Sequence, residues 1–248
     1  MAVPGRKLSR FVLYLSTVES ISSKVLDYHF NLGDKVDKYP IPAGIDWLLP
    51  YSEPETQRVM SLFYTRFYND QQSRRIIFGI NPGRFGAGLT GVPFTDPLKM
   101  LDECQIENNF PKKQELSAQF IYQVINRYGG VEPFFNRFYI TSLCPLGFVK
   151  DGINYNYYDD KPLTAAVTPF IIENIKAQKE IGSTGTELAY CLGEGKNYEY
   201  FSRINDQHGF FKTIVPLPHP RWIMQYKRKL LDYYIQVYLD KLVLHVEQ

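Results

Sequence analysis

Residues 76–83, Ile-Ile-Phe-Gly-Ile-Asn-Pro-Gly, join a short apolar run to a tight loop. The apolar run does not alternate with polar residues, which predicts a strand that is buried on both faces. The Asn-Pro-Gly sequence that ends it predicts an abrupt turn. Three later segments repeat the pattern of a short apolar strand followed by an irregular loop: 138–143, 188–192 and 213–216.

Helices are predicted around and between these strands from apolar residues at helical spacing. The predicted helices cover residues 6–30, 54–68, 114–128, 168–181 and 222–245, and Thr168-Pro169 either starts or kinks the fourth of them. Strands that alternate with helices predict a parallel sheet covered on both faces. We therefore expect an α/β fold, a three-layer αβα sandwich with a central four-stranded, mainly parallel sheet.

In a sheet of this kind, ligands bind beyond the carboxyl ends of the strands. This rule selects four loops as the expected site: 81–94, 142–148, 193–195 and 217–222.

Length and composition are those of an ordinary globular protein. The chain has 248 residues, of which 44% are hydrophobic and 22% charged, and it contains no apolar run long enough for a membrane span. We expect one domain over residues 1–248, with 1–45 as an N-terminal helical extension, and no secretory signal. Cys104, Cys144 and Cys191 are far apart and form no paired motif, so we expect no metal, no cofactor and a cytoplasmic location.

The net charge of +2 does not indicate a polyanionic partner. A nucleic-acid-binding surface would therefore require a local basic patch.

The loop over residues 79–94 contains five glycines and two prolines. Glycine lets the backbone approach a ligand closely, and proline fixes φ, so the loop is expected to be rigid and to present its amides. It has neither the Walker pattern nor the spacing of a dinucleotide-binding loop. Composition alone is equally consistent with a long connecting turn.

The order of residues in this loop resembles the first motif of the uracil-DNA glycosylase superfamily, specifically of its single-strand-selective monofunctional branch. The resemblance implies that Asn81 positions the hydrolytic water, that Phe94 stacks on the extruded base and that the backbone at Ile80 contacts the base edge. Gly83 stands where other branches have a bulkier residue, which implies room for a substituent at carbon 5. The matching positions are Asn81-Pro82-Gly83, Phe85-Gly86 and Thr90-Gly91-Val92-Pro93-Phe94.

These residue types suit the implied chemistry. Asparagine can orient a water molecule without adding charge, and an aromatic face holds an unstacked base with roughly 1–3 kcal/mol. The first carboxylate after the motif is Asp96, which precedes Pro97 and is expected to cap a helix.

A second resemblance covers residues 216–222, where the superfamily has a histidine among prolines followed by a DNA-inserting residue. It implies that His219 bonds the base carbonyl and stabilises the departing anion. The related branch reads His-Pro-Ser-Pro-Arg, but a single proline separates His219 from Arg221 here. Aligning Arg221 instead would place Leu217 at the histidine position, and we prefer His219 because Leu217 has no polar chemistry.

Arg221 and Trp222 are the expected wedge that fills the gap left by the flipped base. Lys227 and Arg228 are expected to contact DNA, because residues 221–229 carry four positive charges and no acids. An ordinary solvated helix face is the alternative for the charges, and core packing is the alternative for Trp222.

The segment that ends in Leu143-Cys144-Pro145-Leu146 resembles a third family segment, which has asparagine two residues before the cysteine. Here that position is Ser142, whose hydroxyl makes at most one donation and cannot read uracil in a bidentate manner. Two consequences stay open. The site takes uracil less selectively, with help from Asn154 or Asn156, or it favours a deaminated purine such as xanthine or hypoxanthine.

The resemblance thus implies a monomeric, nucleoid-associated DNA glycosylase that acts on single- or double-stranded DNA. It would extrude uracil, a substituted uracil or a deaminated purine, hydrolyse the N-glycosidic bond by water attack and leave an abasic site. The matched motif positions contain no lysine, so a lyase step is not expected. Two alternatives stay open: an impaired module that binds single-stranded or damaged DNA, and a nucleotide-binding protein that uses the glycine loop as an anion cradle.

Overall fold

The computed structural model describes residues 19–182, 185 and 187–243. Its helices are α1 (Ile21–Phe30), α2 (Pro54–Tyr68), α3 (Ala87–Thr90), α4 (Pro97–Asp102), α5 (Leu116–Tyr128), α6 (Val131–Arg137), α7 (Lys161–Ile181), α8 (Lys196–His208), α9 (Pro220–Tyr226) and α10 (Leu231–Val243). Its strands are β1 (Ile45–Leu48), β2 (Arg75–Gly79), β3 (Phe138–Ser142), β4 (Gly147–Lys150), β5 (Ile153–Tyr155), β6 (Leu188–Leu192) and β7 (Thr213–Leu217). Short 3₁₀ turns occupy Gly33–Lys38, Pro50–Ser52 and Arg228–Leu230.

The central sheet is four-stranded and parallel, in the order β3-β2-β6-β7. Helices flank it in the predicted three-layer arrangement, so the predicted fold class is confirmed. Strand β2 is buried on both faces, as the apolar run predicted: Ile77 and Phe78, which point to opposite faces of the sheet, are 3% and 0% exposed.

The carboxyl ends of the four strands meet at one edge of this sheet. Gly79 at the end of β2 lies opposite Ser142 at the end of β3, and Leu192 of β6 lies opposite Leu217 of β7. The chain runs from β2 to β3 on one side and later to β6 on the other, so the strand order reverses beside β2. The loops at this edge are therefore the expected place for a ligand.

A second sheet, which the sequence did not lead us to expect, is antiparallel and three-stranded, in the order β1-β4-β5. Its strands have only three or four residues each, too few to show an alternating pattern. Lys150 and Ile153 pair across a two-residue turn, Asp151-Gly152, in which both residues have positive φ. This hairpin delivers residues 154–157 to the ligand edge of the central sheet.

Two helices differ from the predicted ranges, and for the first of them the alternative in which Pro169 lies within the helix is the correct one. Helix α7 begins at Lys161 rather than at residue 168, because the side chain of Asp160 caps it by accepting from the Leu163 N–H, and Pro169 lies inside the helix. The predicted helix over 222–245 is interrupted: α9 ends at Tyr226, and α10 begins only after the 3₁₀ turn.

The predicted N-terminal helix is described only from residue 19 onward; residues 1–18 lie outside the described residues. Ser20 caps α1 by accepting from the Ser23 N–H at 3.2 Å. The buried side chains of Ile21 and Val25 belong to the same core as the central sheet. The boundary of an extension at residue 45 stays a prediction.

Among the described helices, none combines the length and the apolar composition that crossing a membrane requires.

Candidate active site

A cavity of about 540 Å³ opens at the carboxyl edge of the central sheet. Eight of the ten residues predicted for the site line it: Ile80, Asn81, Gly83, Phe94, Ser142, His219, Arg221 and Trp222. The other two, Lys227 and Arg228, do not line the cavity; they follow α9 beside its mouth. The fold thus brings together residues that are up to 142 positions apart, counted from Ile80 to Trp222.

The side-chain amide of Asn81 is held at both ends by Tyr155, the last residue of β5, and by Tyr157 just beyond it. Its Nδ2 donates to the carbonyl oxygen of Tyr155 at 3.1 Å, and its Oδ1 accepts from the N–H of Tyr157 at 3.2 Å. These two bonds fix the plane of the amide and leave one lone pair of Oδ1 for another donor. The arrangement can orient a water molecule without introducing a charge.

Phe94 adopts a left-handed backbone conformation with φ of 55°. This is unusual for a bulky side chain, and such backbone strain is found mainly at functional sites. The ring lies over Gly79, where a Cβ atom would come within 2.8 Å of Cε2, so only glycine at the end of β2 admits it. The Phe94 ring centroid is 6.5 Å from that of His219, so both rings face the same cavity.

His219 precedes α9 and caps it. Its Nδ1 accepts from the backbone N–H of Arg221 at 3.1 Å, so the hydrogen of the neutral ring is on Nε2. Burial, reinforced by the positive charge of Arg221, lowers the pKa of His219 to about 4. The site therefore contains a neutral imidazole with a fixed donor. Leu217, the alternative partner in the motif alignment, is buried in the core at the end of β7, which favours the alignment on His219.

Ser142 lines the cavity with 6% of its surface exposed, and helix α7 braces the backbone there. Asn174 is fully buried, and its Nδ2 donates to the carbonyl oxygens of Ser142 and Leu143 at 2.8 and 2.9 Å. Its Oδ1 accepts from the hydroxyl of Tyr28 and from Nε2 of Gln178. All of its donors are used on the protein, so Asn174 does not replace the asparagine that the resemblance expects at 142.

Sequence analysis missed Asn174 and Tyr28. Each lies within a helix far from any motif, so only the topology of the chain identifies them.

Asn154 and Asn156, the two asparagines predicted to assist Ser142, both line the cavity. They differ in how many of their side-chain hydrogen-bonding groups are already used by the protein. Asn156 is tied into a turn, because its backbone N–H and its Nδ2 both donate to Oδ2 of Asp159. Asn154 in β5 accepts from the N–H of Arg84 at 3.1 Å through Oδ1, and its Nδ2 points toward Gly83.

Glu115 also lines the cavity and was missed, since it lies outside the matched motifs. Its backbone N–H donates to Oδ2 of Asp96 at 2.8 Å, and its carboxylate accepts from the N–H of Gly86. Burial, together with the charge of Asp96, raises the pKa of Glu115 to about 7, while Arg221 opposes the rise. Asp96 itself caps α4 by accepting from the Lys99 N–H, as expected.

The mouth of the cavity carries aromatic and basic side chains. Trp222 is 40% exposed and Tyr226, which sequence analysis did not single out, is 71% exposed. Lys227 Nζ lies 5.5 Å from the centroid of the Trp222 ring. Arg221 and Arg228 are exposed. The partial exposure of Trp222 at the mouth is inconsistent with the core-packing alternative.

Residues 65–243 match the family model of the uracil DNA glycosylase superfamily. The chain belongs to this superfamily, whose glycosylases act in DNA repair.

Among solved structures, the chain is similar to the crystal structure of wild-type SMUG2 from Pedobacter heparinus. The two chains are 42% identical, with a TM-score of 0.86 over 93% of this chain and 100% of that one. A search of curated proteins gave no match. The predicted family is confirmed.

Proposed function

We propose that this protein is a monofunctional DNA glycosylase that extrudes uracil, or a related deaminated base, into the cavity and hydrolyses its N-glycosidic bond. One observation carries the proposal: a fixed Asn81 amide and a neutral His219 with a fixed donor face one cavity beside Phe94. We further propose that the protein acts as a monomer with one glycosylase domain.

In the proposed reaction, the extruded base stacks on Phe94, and O2 of uracil accepts from Nε2–H of His219. Asn81 orients a water molecule toward C1′ of the sugar. The bond from water oxygen to C1′ forms while the bond from C1′ to the base nitrogen breaks, and the electron pair leaves with the base. The neutral His219 donor stabilises the anion as it develops, and water supplies the proton that the free base takes up.

The base preference follows from Ser142. Its hydroxyl supplies at most one hydrogen bond to the Watson–Crick edge, so selectivity for uracil is expected to be weaker than with a bidentate amide. Xanthine and hypoxanthine are proposed as further substrates because Ser142 leaves the space that an asparagine side chain would fill.

DNA on either side of the extruded base is proposed to lie across the mouth. Arg221 and Trp222 fill the space that the base leaves, and Lys227 and Arg228 contact phosphates. Loss of one phosphate contact is expected to weaken binding about equally for all sequences and to lower the salt dependence by about one unit of slope.

The test is a base-release assay on matched single- and double-stranded oligonucleotides that contain uracil, hydroxymethyluracil, xanthine or hypoxanthine. Alkali cleavage reports abasic sites, and cleavage without alkali would reveal a lyase step. We expect the wild type to release the base. We expect Asn81→Ala to release it at least about 10²-fold more slowly. Asn136→Ala, the same substitution at an exposed asparagine in α6, at the opposite end of the central sheet from the cavity, serves as the control. Intact DNA binding with no release from any substrate would overturn the proposal in favour of a binding module.

A further inference from the structure

The wall of the cavity beside Gly83 is polar. A methyl group added at Gly83 would lie 3.1 Å from Oε1 of Glu115 and 3.3 Å from Nδ2 of Asn154. Two hydrogen-bonding groups therefore pack against Gly83, and both residues also line the cavity. Neither residue belongs to a matched motif, and the proposed reaction assigns neither of them a role.

Both groups are held in place by backbone contacts. Oδ1 of Asn154 accepts from the Arg84 N–H, so its Nδ2 is the half of the amide that remains for a ligand. The carboxylate of Glu115 accepts from the Gly86 N–H and packs so closely that a Cβ atom at Gly86 would lie 2.1 Å from Oε2.

The remaining edge of the base faces this wall. In the proposed function, on which this inference rests, one base edge is taken by His219 and the Watson–Crick edge by Ser142. Going round the ring, the next edge holds carbon 5 of a pyrimidine or N7 of a purine. Gly83, Glu115 and Asn154 belong to the lining of the cavity and are not used by the other two edges.

We propose that Glu115 and Asn154 determine base specificity by hydrogen bonding a polar atom on this edge. Nδ2 of Asn154 donates to an acceptor, either the hydroxyl oxygen of a 5-hydroxymethyl group or N7 of a purine. The carboxylate of Glu115 accepts the hydroxyl hydrogen of the hydroxymethyl group. Unsubstituted uracil presents only C–H groups here and gains neither bond.

The ionisation of Glu115 is compatible with this role. Because burial and Asp96 raise its pKa to about 7, both forms of the carboxyl are present near neutral pH. Either form can bond a hydroxyl group, as a donor or as an acceptor.

The two residues differ in which substrates they affect, and this difference provides the test. Each variant is assayed for single-turnover release of uracil, hydroxymethyluracil, hypoxanthine and 7-deazahypoxanthine, which lacks the N7 acceptor. Asn154→Ala is expected to lower the preference for hydroxymethyluracil and for hypoxanthine over uracil by about 3- to 10-fold, the equivalent of one hydrogen bond. Its effect on 7-deazahypoxanthine should match its effect on uracil.

Glu115→Ala is expected to lower the preference for hydroxymethyluracil by a similar factor but to leave the ratio of hypoxanthine to uracil unchanged. Glu115→Gln should retain most of the preference, because the amide can still bond the hydroxyl. Gly86→Ala, which displaces the carboxylate without altering it, should reproduce Glu115→Ala. Gln114→Ala, an exposed neighbour, is the control.

Proportional loss on all four bases would overturn the proposal, since it would mean that the residues only brace the loop. Unchanged ratios would also overturn it. The same ratios are measured as binding affinities with 2′-fluoro nucleotides, which resist hydrolysis. If the wild type discriminates between bases in binding but releases none of them, the proposed function is overturned. The role of Glu115 and Asn154 in base specificity is then upheld.

Discussion

The two sheets of this protein have different roles in the proposed active site. The parallel sheet supplies the groups proposed to act on the base, because Asn81, Ser142 and His219 follow β2, β3 and β7 at one edge. The small antiparallel sheet supplies orientation, because Tyr155 at the end of β5 and Tyr157 just beyond it bind both ends of the Asn81 amide. Reacting groups and the groups that aim them thus come from different layers of the fold.

Substitutions in different parts of this arrangement should therefore have different effects. A change at the edge of the parallel sheet removes a functional group and leaves the core intact, so the expected loss is in rate. A change in a buried brace removes several hydrogen bonds at once, so the expected loss is in stability. A change in the hairpin should affect both moderately.

The largest effect is expected from His219→Ala, which removes the proposed donor to the base. Its release rate should fall by about 10²–10³-fold, the usual loss for one such donor. The cap on α9 is also lost, at a cost of about 1 kcal/mol. Single-turnover kinetics and urea unfolding separate the two losses. A rate within a factor of three of the wild type would remove His219 from the mechanism.

The next largest effect is expected from Asn174→Ala in α7, whose side chain supports the end of β3. It leaves the hydroxyl of Tyr28 and the carbonyls of Ser142 and Leu143 without their partner in a buried place, at a cost of about 1–3 kcal/mol. Urea unfolding measures the free energy of unfolding. Tyr28→Phe removes only one of these bonds and should lower the free energy of unfolding by less. Equal decreases for the two variants would show that Asn174 stabilises the fold through its bond to Tyr28 alone.

The parallel sheet could be predicted from sequence, because buried parallel strands leave continuous apolar runs that need no partner to be recognised. The loop after β2 could be predicted as well, because its glycines and prolines are concentrated in one segment and match a motif. Eight of the ten predicted site residues line the cavity for the same reason: they follow those strands directly.

The antiparallel sheet was missed, although one signal was present. Asp151-Gly152 is the type of pair that favours a two-residue hairpin turn, but the strands beside it are too short to confirm it. Glu115 and Asn174 carried no local signal, because their roles depend on contacts with residues distant in sequence. The start of α7 was left open because Thr168-Pro169 could either start or kink a helix, whereas Asp160 followed by Pro162 marks the real start.

A smaller effect should come from straining the hairpin turn, with a matched control. Gly152 and Gly209 both have positive φ, of 70° and 63°, and neither has an atom within 4 Å of an added Cβ. Gly152→Ala and Gly209→Ala should therefore cost similar stability, about 1–2 kcal/mol each.

Only Gly152→Ala should slow base release, by roughly threefold or more, because it disturbs the segment that aims Asn81. Gly209 ends α8 away from the cavity. Urea unfolding and single-turnover release, measured on both variants, test whether the antiparallel sheet orients Asn81. Equal slowing by both alanines would show that rate simply follows stability.

The last expected effect is a pH dependence of stability that arises at Glu115. Its pKa is raised to about 7 from an ordinary value of 4.5, so the folded state favours the protonated form. The stability linked to this proton is fully present below about pH 4.5 and is lost as the pH rises through about 7. Glu115→Gln has no such proton, so the stability difference between variant and wild type should move in favour of the variant across this window. Thermal unfolding at intervals from pH 4.5 to 8 measures it, and a difference that does not change with pH would show that Glu115 keeps an ordinary pKa.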